Sequence, residues 1–189
     1  MGTLSEHCYA FPFLAGVLTL IALITPAAHY ISDDTMYYGI YVWMWGLLVV
    51  RDRGHSNFKV FNREWEDFVQ YWGLELFGIV PSLICTGMII VGSLVFIWTA
   101  QKVKAGNMDE DKAAKIWAFF AILNIGLTIF WIIWIEYYYA GVYQIIAGEI
   151  RIVNPEEDHI GFWAFYNLGF GVIGVFLGAA IALIGVYVK

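Results

Sequence analysis

Four long apolar runs, separated by polar and aromatic stretches, set the pattern of this chain. The first run covers residues 11–30, the second 76–100, the third 113–139 and the fourth 160–188. Each is close to the twenty or so apolar residues a helix needs to span a hydrocarbon core of about 30 Å at ~1.5 Å per residue. In lipid the backbone must satisfy its own hydrogen bonds, so such runs are read as helices. Pro81 falls near the start of the second, where a missing N–H does least harm. The acidic segment Asp109, Glu110 and Asp111 precedes the third and suits the partial positive charge of a helix N-terminus. The first run lacks a basic leader and a small-residue cleavage site, and is expected to be a retained helix rather than a signal peptide.

Between the first two runs, residues 31–73 change character. Tyr37-Tyr38-Gly39-Ile40-Tyr41-Val42-Trp43 and Gly46-Leu47-Leu48-Val49-Val50 have strand composition, residues 51–57 are turn-like, and Phe58-Lys59-Val60-Phe61 alternates with period two. A small antiparallel sheet is expected there. Residues 63–74 then place Trp65, Phe68, Val69 and Trp72 at helical spacing, predicting a short amphipathic helix on the membrane surface. Residues 141–159 form a shorter second loop with a turn at Asn154-Pro155. The expected fold is an all-α transmembrane four-helix bundle with a small extracellular antiparallel β-sheet, in a single domain of residues 1–189.

Composition sharpens this reading. The chain is 61% hydrophobic and only 14% charged, with mean hydropathy +0.70. That is more apolar surface than a soluble domain of this size can enclose. Nine Trp and twelve Tyr, many flanking the apolar runs, fit aromatic belts at headgroup level. Lys102, Lys104, Lys112 and Lys115 crowd the short 101–115 linker, so it and both termini are assigned to the cytoplasm and the chain to the cell membrane. A net charge of −6 without a basic patch argues against nucleic acid. Cys8 and Cys85 belong to different environments, so no structural disulfide is expected, and quinone-linked thiol chemistry lacks its cysteine pairs.

The layout resembles that of the claudin superfamily, which includes peripheral myelin protein, epithelial membrane proteins and channel γ-subunits. Thr25-Pro26-Ala27-Ala28-His29-Tyr30 is similar to the stretch in which a proline precedes the first loop Trp, with His29 or Tyr30 at the Trp position. Trp45-Gly46-Leu47-Leu48 resembles the W…GLW signature with Leu48 for its last Trp, and Lys59-Val60-Phe61-Asn62 resembles the segment after the second loop cysteine. Residues 109–115 are similar to the acidic-then-basic entry to the third helix, and Tyr166 with the glycines after it suits the fourth. The chain departs from the family in both loop cysteines, whose approximate places are taken by Arg51 and Phe58. It must hold its sheet without a crosslink typically worth about 2–4 kcal/mol.

The resemblance implies a non-enzymatic protein whose outer loops mediate adhesion, a barrier or an ion path. Its partners are membrane lipids and either further copies of itself or another membrane protein. The expected partner-binding residues are Tyr41, Trp43, Trp45, Gly46, Leu47, Leu48, Phe58, Phe61 and Trp65. An auxiliary subunit of a channel or other membrane complex is the alternative, and a small metal- or haem-binding redox subunit a further one. Gly171, Gly174, Gly178 and Gly185 share one helical face and allow close helix approach, within this bundle or between copies. Glu156, Glu157 and Asp158 are the best cation-attracting patch, though without EF-hand spacing. Glu136 is read either as a buried carboxylate or, about twenty residues into its helix, as part of the outer interface. His29 and His159 are too few ligands for a metal centre. No catalytic motif and no cofactor is expected.

Overall fold

A computed structural model describes residues 7–31, 37–52, 59–60, 79–138, 144–146, 149–151, 163 and 166–189. These form four helices: α1 (Ala10–Ile24), α2 (Ile79–Lys104), α3 (Glu110–Tyr138) and α4 (Phe170–Val188). They also form seven strands: β1 (Ala28–Ile31), β2 (Tyr37–Trp43), β3 (Gly46–Asp52), β4 (Lys59–Val60), β5 (Gln144–Ile146), β6 (Glu149–Arg151) and β7 (Asn167–Leu168).

The helices pack in a square in which α1 and α3 each touch both α2 and α4, and the α1–α4 seam is the most extensive. The α2–α3 seam follows from heptad-like spacing. Ser82, Cys85, Ile89, Gly92, Phe96, Thr99 and Val103 are buried on α2, and Trp117, Ala121, Asn124, Thr128, Trp131 and Ile135 on α3. Alternating steps of three and four are those of a left-handed antiparallel pair. The α1–α4 seam is made of small residues. Ala15, Thr19 and Ala22 meet Gly174, Gly178, Ala179 and Ala182, all buried.

Hydrophobicity is distributed the opposite way from a water-soluble bundle. Thr19, Ser82, Thr86, Ser93, Thr99, Asn124 and Thr128 are buried inside, whereas Ile21, Ile84, Val91, Leu94, Phe119, Ile122 and Ile133 each expose half or more of their surface. The buried hydroxyls of Thr86, Ser93 and Thr128 donate to the carbonyl four residues back, and Thr99 accepts the Trp117 indole N–H at 2.7 Å. α2, α3 and α4 are long and apolar enough to cross a membrane. At ~1.5 Å per residue, the 15 residues of α1 reach about 22 Å.

Two expected helix ranges are corrected. The first helix stops at Ile24, not residue 30, because Pro26 cannot donate to the ladder and the chain turns extended into β1. The fourth starts at Phe170, not 160, because Asn167–Leu168 pairs with β1 before the helix begins. The other two shift less. α2 is described from Ile79 and runs on to Lys104, and α3 starts at Glu110, where the Asp109 carboxylate accepts from the Lys112 N–H at 3.1 Å.

The larger sheet has the order β4-β3-β2-β1-β7 and is antiparallel throughout; β5 and β6 pair separately. β1 to β4 come from the connection between α1 and α2, and β7 from the connection between α3 and α4. Residues 63–74 lie outside the described residues.

Candidate functional site

Where the sheet meets the bundle, the chain must satisfy the last carbonyls of α1, which have no partner within the helix. Three side chains do so. Thr25 Oγ1 donates to Ala22 O at 2.7 Å, Trp45 Nε1 to Leu23 O at 2.7 Å and Trp43 Nε1 to Ile24 O at 2.7 Å. Both indoles belong to the tip of the β2–β3 hairpin, where Trp43 pairs with Gly46 across the two turn residues Met44 and Trp45. Their rings are 6.0 Å apart and tilted by 42°. The hairpin tip is thus bonded to the end of the first helix, and Met44 is buried beside it.

The following segment ties three parts together. Ala27 N–H donates to Val42 O at 2.7 Å, Gly169 N–H to Ala27 O at 2.8 Å, and Gly171 N–H to Pro26 O at 2.8 Å. The approach demands glycine on the α4 side. A Cβ at Gly171 would lie 2.8 Å from Ala27 Cα, and one at Gly169 would strike the Pro26 carbonyl. Beneath, Ala27, Ala28, Val42, Met44 and Tyr166 form one buried cluster with Trp131, Ile135 and Val172 of the helices. Sheet and bundle share a core.

The second connection is fixed separately. Glu136, in the last turn of α3, accepts the Trp163 backbone N–H on Oε2 at 3.0 Å, while Trp163 Nε1 donates to Ile132 O at 3.1 Å. The Trp163 ring meets Trp131 edge-on at 6.3 Å. Glu136 therefore sits at the sheet end of the bundle and holds a loop backbone there.

Register sorts the sheet into two faces. Ala28 and Val42 are directly opposed and buried; His29 and Tyr41, the next pair, are half-buried on the other face. Asn167 lies beside His29, and Leu48 lies opposite Tyr41 in the register, with Val60 opposite Leu48. This row, from β7 to β4, runs across all five strands.

Of the expected partner-binding residues, Tyr41 occupies that outer row. Trp43 and Trp45 bond to the helix end, Trp45 keeping 42% of its surface exposed. Gly46, Leu47 and Leu48 lie in β3. Phe58, Phe61 and Trp65 lie outside the described residues, as do Glu156, Glu157, Asp158 and His159. Gly171, Gly174, Gly178 and Gly185 all face α1, against Ala27, Ala22, Thr19 and Pro12 in turn.

Sequence reasoning passed over two features. The Trp43 and Trp45 caps carried a signal only in retrospect, in indoles spaced two apart next to a helix ending in Thr-Pro. Asn124 carried a clearer one, as the sole amide within the third apolar run. It is fully buried against Gly92, and among the described residues neither amide atom has a hydrogen-bond partner. Cys8 and Cys85 are both free and buried. Burial, then the nearby Glu110 carboxylate, raises the Cys8 thiol above its usual range. Among the described residues no three His, Cys, Asp or Glu side chains converge on a metal site. Comparison with known proteins finds no matching family model and no curated relative.

Proposed function

We propose that the chain is a claudin-like protein of the cell membrane that crosses the bilayer four times. On this reading it works through its extracellular sheet, which binds further copies or a facing membrane to make an adhesive contact or barrier. The observation that carries the reading is a five-stranded sheet assembled from both inter-helix connections and bonded to the bundle by Trp43, Trp45 and Gly169. A sheet held this tightly presents its outer row, through His29 and Tyr41, as a rigid surface. Such a surface loses little conformational freedom on association.

Membrane embedding is supported by the inverted pattern of buried hydroxyls and exposed Ile, Leu and Phe, an apolar belt far larger than a soluble monomer tolerates. α1 lies against α4 along its length and exposes Phe13, Leu14, Ile21 and Ile24. It shares the bilayer with its neighbours, its shortness met by local thinning. Lys102 and Lys104 end α2 away from the sheet, and Lys112 and Lys115 open α3 there, which supports a cytoplasmic side for that end and both termini. The resemblance to the claudin superfamily lies in this layout and in the segments around Pro26, Trp45 and Tyr166.

Reconstitution tests the reading. Purified protein in phosphatidylcholine vesicles should cluster them, followed by turbidity and by energy transfer between labelled vesicles. Tyr41→Asp, which places charge in the outer row, should weaken clustering about tenfold, the scale of an interface residue worth ~1.4 kcal/mol. Vesicles that stay dispersed, with a stoichiometric larger membrane protein co-purifying, would replace adhesion by an auxiliary-subunit role.

A further inference from the structure

At the end of the bundle away from the sheet, a groove of about 330 Å³ opens between α1 and α2. It is lined by Tyr9, Ala10, Phe13, Ala100, Gln101 and Lys104. Its volume is at the lower end of the ~300–1,000 Å³ of small-molecule sites. Two alanines, one on each helix, leave the depth, and the exposed Phe13 forms an apolar wall. The polar groups gather at one end. Lys104 Nζ stands 6.0 Å over the Tyr9 ring, and the Tyr9 hydroxyl lies 3.5 Å from His7 Nδ1. Two residues back on the same helix, and so on its other side, Lys102 stands 6.0 Å over the half-exposed Trp98.

We propose that this groove seats an anionic phospholipid of the surrounding leaflet, an acyl chain against Ala10, Phe13 and Ala100 and the phosphate at Lys104. The argument is one of position and charge. The groove lies where α1 begins and α2 ends, the level at which an embedded bundle meets headgroups, and it faces away from the bundle, so that lipid is what surrounds it. Apolar below and cationic above, it repeats the polarity of an anionic phospholipid. A lysine ammonium pairs with the phosphate and adds attraction to a net negative headgroup. The inference rests on the membrane embedding proposed above and is independent of adhesion.

The test uses the full-length protein in nanodiscs, and then in mild detergent with equimolar phosphatidylglycerol and phosphatidylcholine, retained lipids being counted by native mass spectrometry. Wild type is expected to keep phosphatidylglycerol in preference to phosphatidylcholine. Lys104→Gln should reduce that preference about fivefold, the factor one lysine contributes at an anionic surface. Ala10→Trp, which fills the groove at an exposed position, should remove the retained lipid, whereas Lys102→Gln should leave it. Equal retention of the two lipids, or Lys104→Gln and Lys102→Gln acting alike, overturns the site while leaving the embedded bundle intact. A chain that does not enter nanodiscs overturns the embedding as well.

Discussion

Asn124 is the residue most at odds with its surroundings. Its amide is buried opposite Gly92 with neither atom hydrogen-bonded among the described residues, an arrangement that costs about 1–3 kcal/mol relative to a satisfied group. Leucine is apolar and branches at the same atom with the same number of side-chain heavy atoms. Asn124→Leu is therefore expected to raise the thermal midpoint of the detergent-solubilised protein, read by intrinsic fluorescence, and an unchanged or lower midpoint would show that the amide has a bonded role. Cys8 makes the opposite kind of statement. Its thiol is buried at the start of α1 and shifted toward the protonated form, and only the thiolate reacts. Maleimide labelling at pH 7 should be slow in the folded protein and rise on denaturation. Raising the pH should speed it, since the raised pKa leaves little thiolate near neutrality.

Among the elements, the α1–α4 seam depends on glycine at several positions, and the α2–α3 seam at Gly92, where a Cβ would meet Asn124 and Phe120. A Cβ on Gly178 would collide with Thr19 Oγ1 and lie 3.1 Å from Ala15 O, whereas one on Gly126 of α3 meets nothing within 4 Å. Gly178→Val should therefore destabilise by about 1–3 kcal/mol through overpacking, while Gly126→Ala should be neutral or stabilising by up to ~1 kcal/mol through the entropy of the unfolded chain. Thermal unfolding in one detergent compares them. At the C-terminal end of α1, Trp45→Phe keeps an aromatic ring, though a smaller one, and removes the donor to Leu23 O, at a cost of about 0.5–1.5 kcal/mol for the lost bond. Amide exchange should then quicken in the β2–β3 hairpin more than in α2 or α3. The same elements show what a sequence conveys. The long runs, the acidic entry at Glu110 and the glycine face of α4 were legible, because period and composition act locally. The ends of α1 and α4 were not. β7 exists because Leu168 and Asn167 find Ala28 and His29 about 140 positions away, and two residues of strand carry no periodicity.

The whole molecule has two unlike ends joined by an apolar belt, and this polarity yields the last prediction. One end carries the sheet, Trp163 and Glu136; the other carries Lys102, Lys104, Lys112, Lys115 and the Lys189–Asp111 ion pair. Bilayer insertion makes these ends face different compartments, and lysine near helix termini decides which. Because the two native cysteines are buried, replacing both by alanine leaves a background on which single exposed cysteines report sidedness. Asn167→Cys, exposed beside β1, should react with a membrane-impermeant maleimide on intact cells. Lys104→Cys, exposed at the end of α2, should react only after permeabilisation. The reverse pattern would turn the sheet toward the cytoplasm and exclude contact between facing cells. Labelling of both in intact cells would mean that the two ends share one compartment, which α2, with its sheet-side start and lysine-rich finish, does not allow if it crosses the bilayer once. The experiment thus separates the orientation from the crossing itself, and with it the adhesive role from any role that requires only a buried bundle.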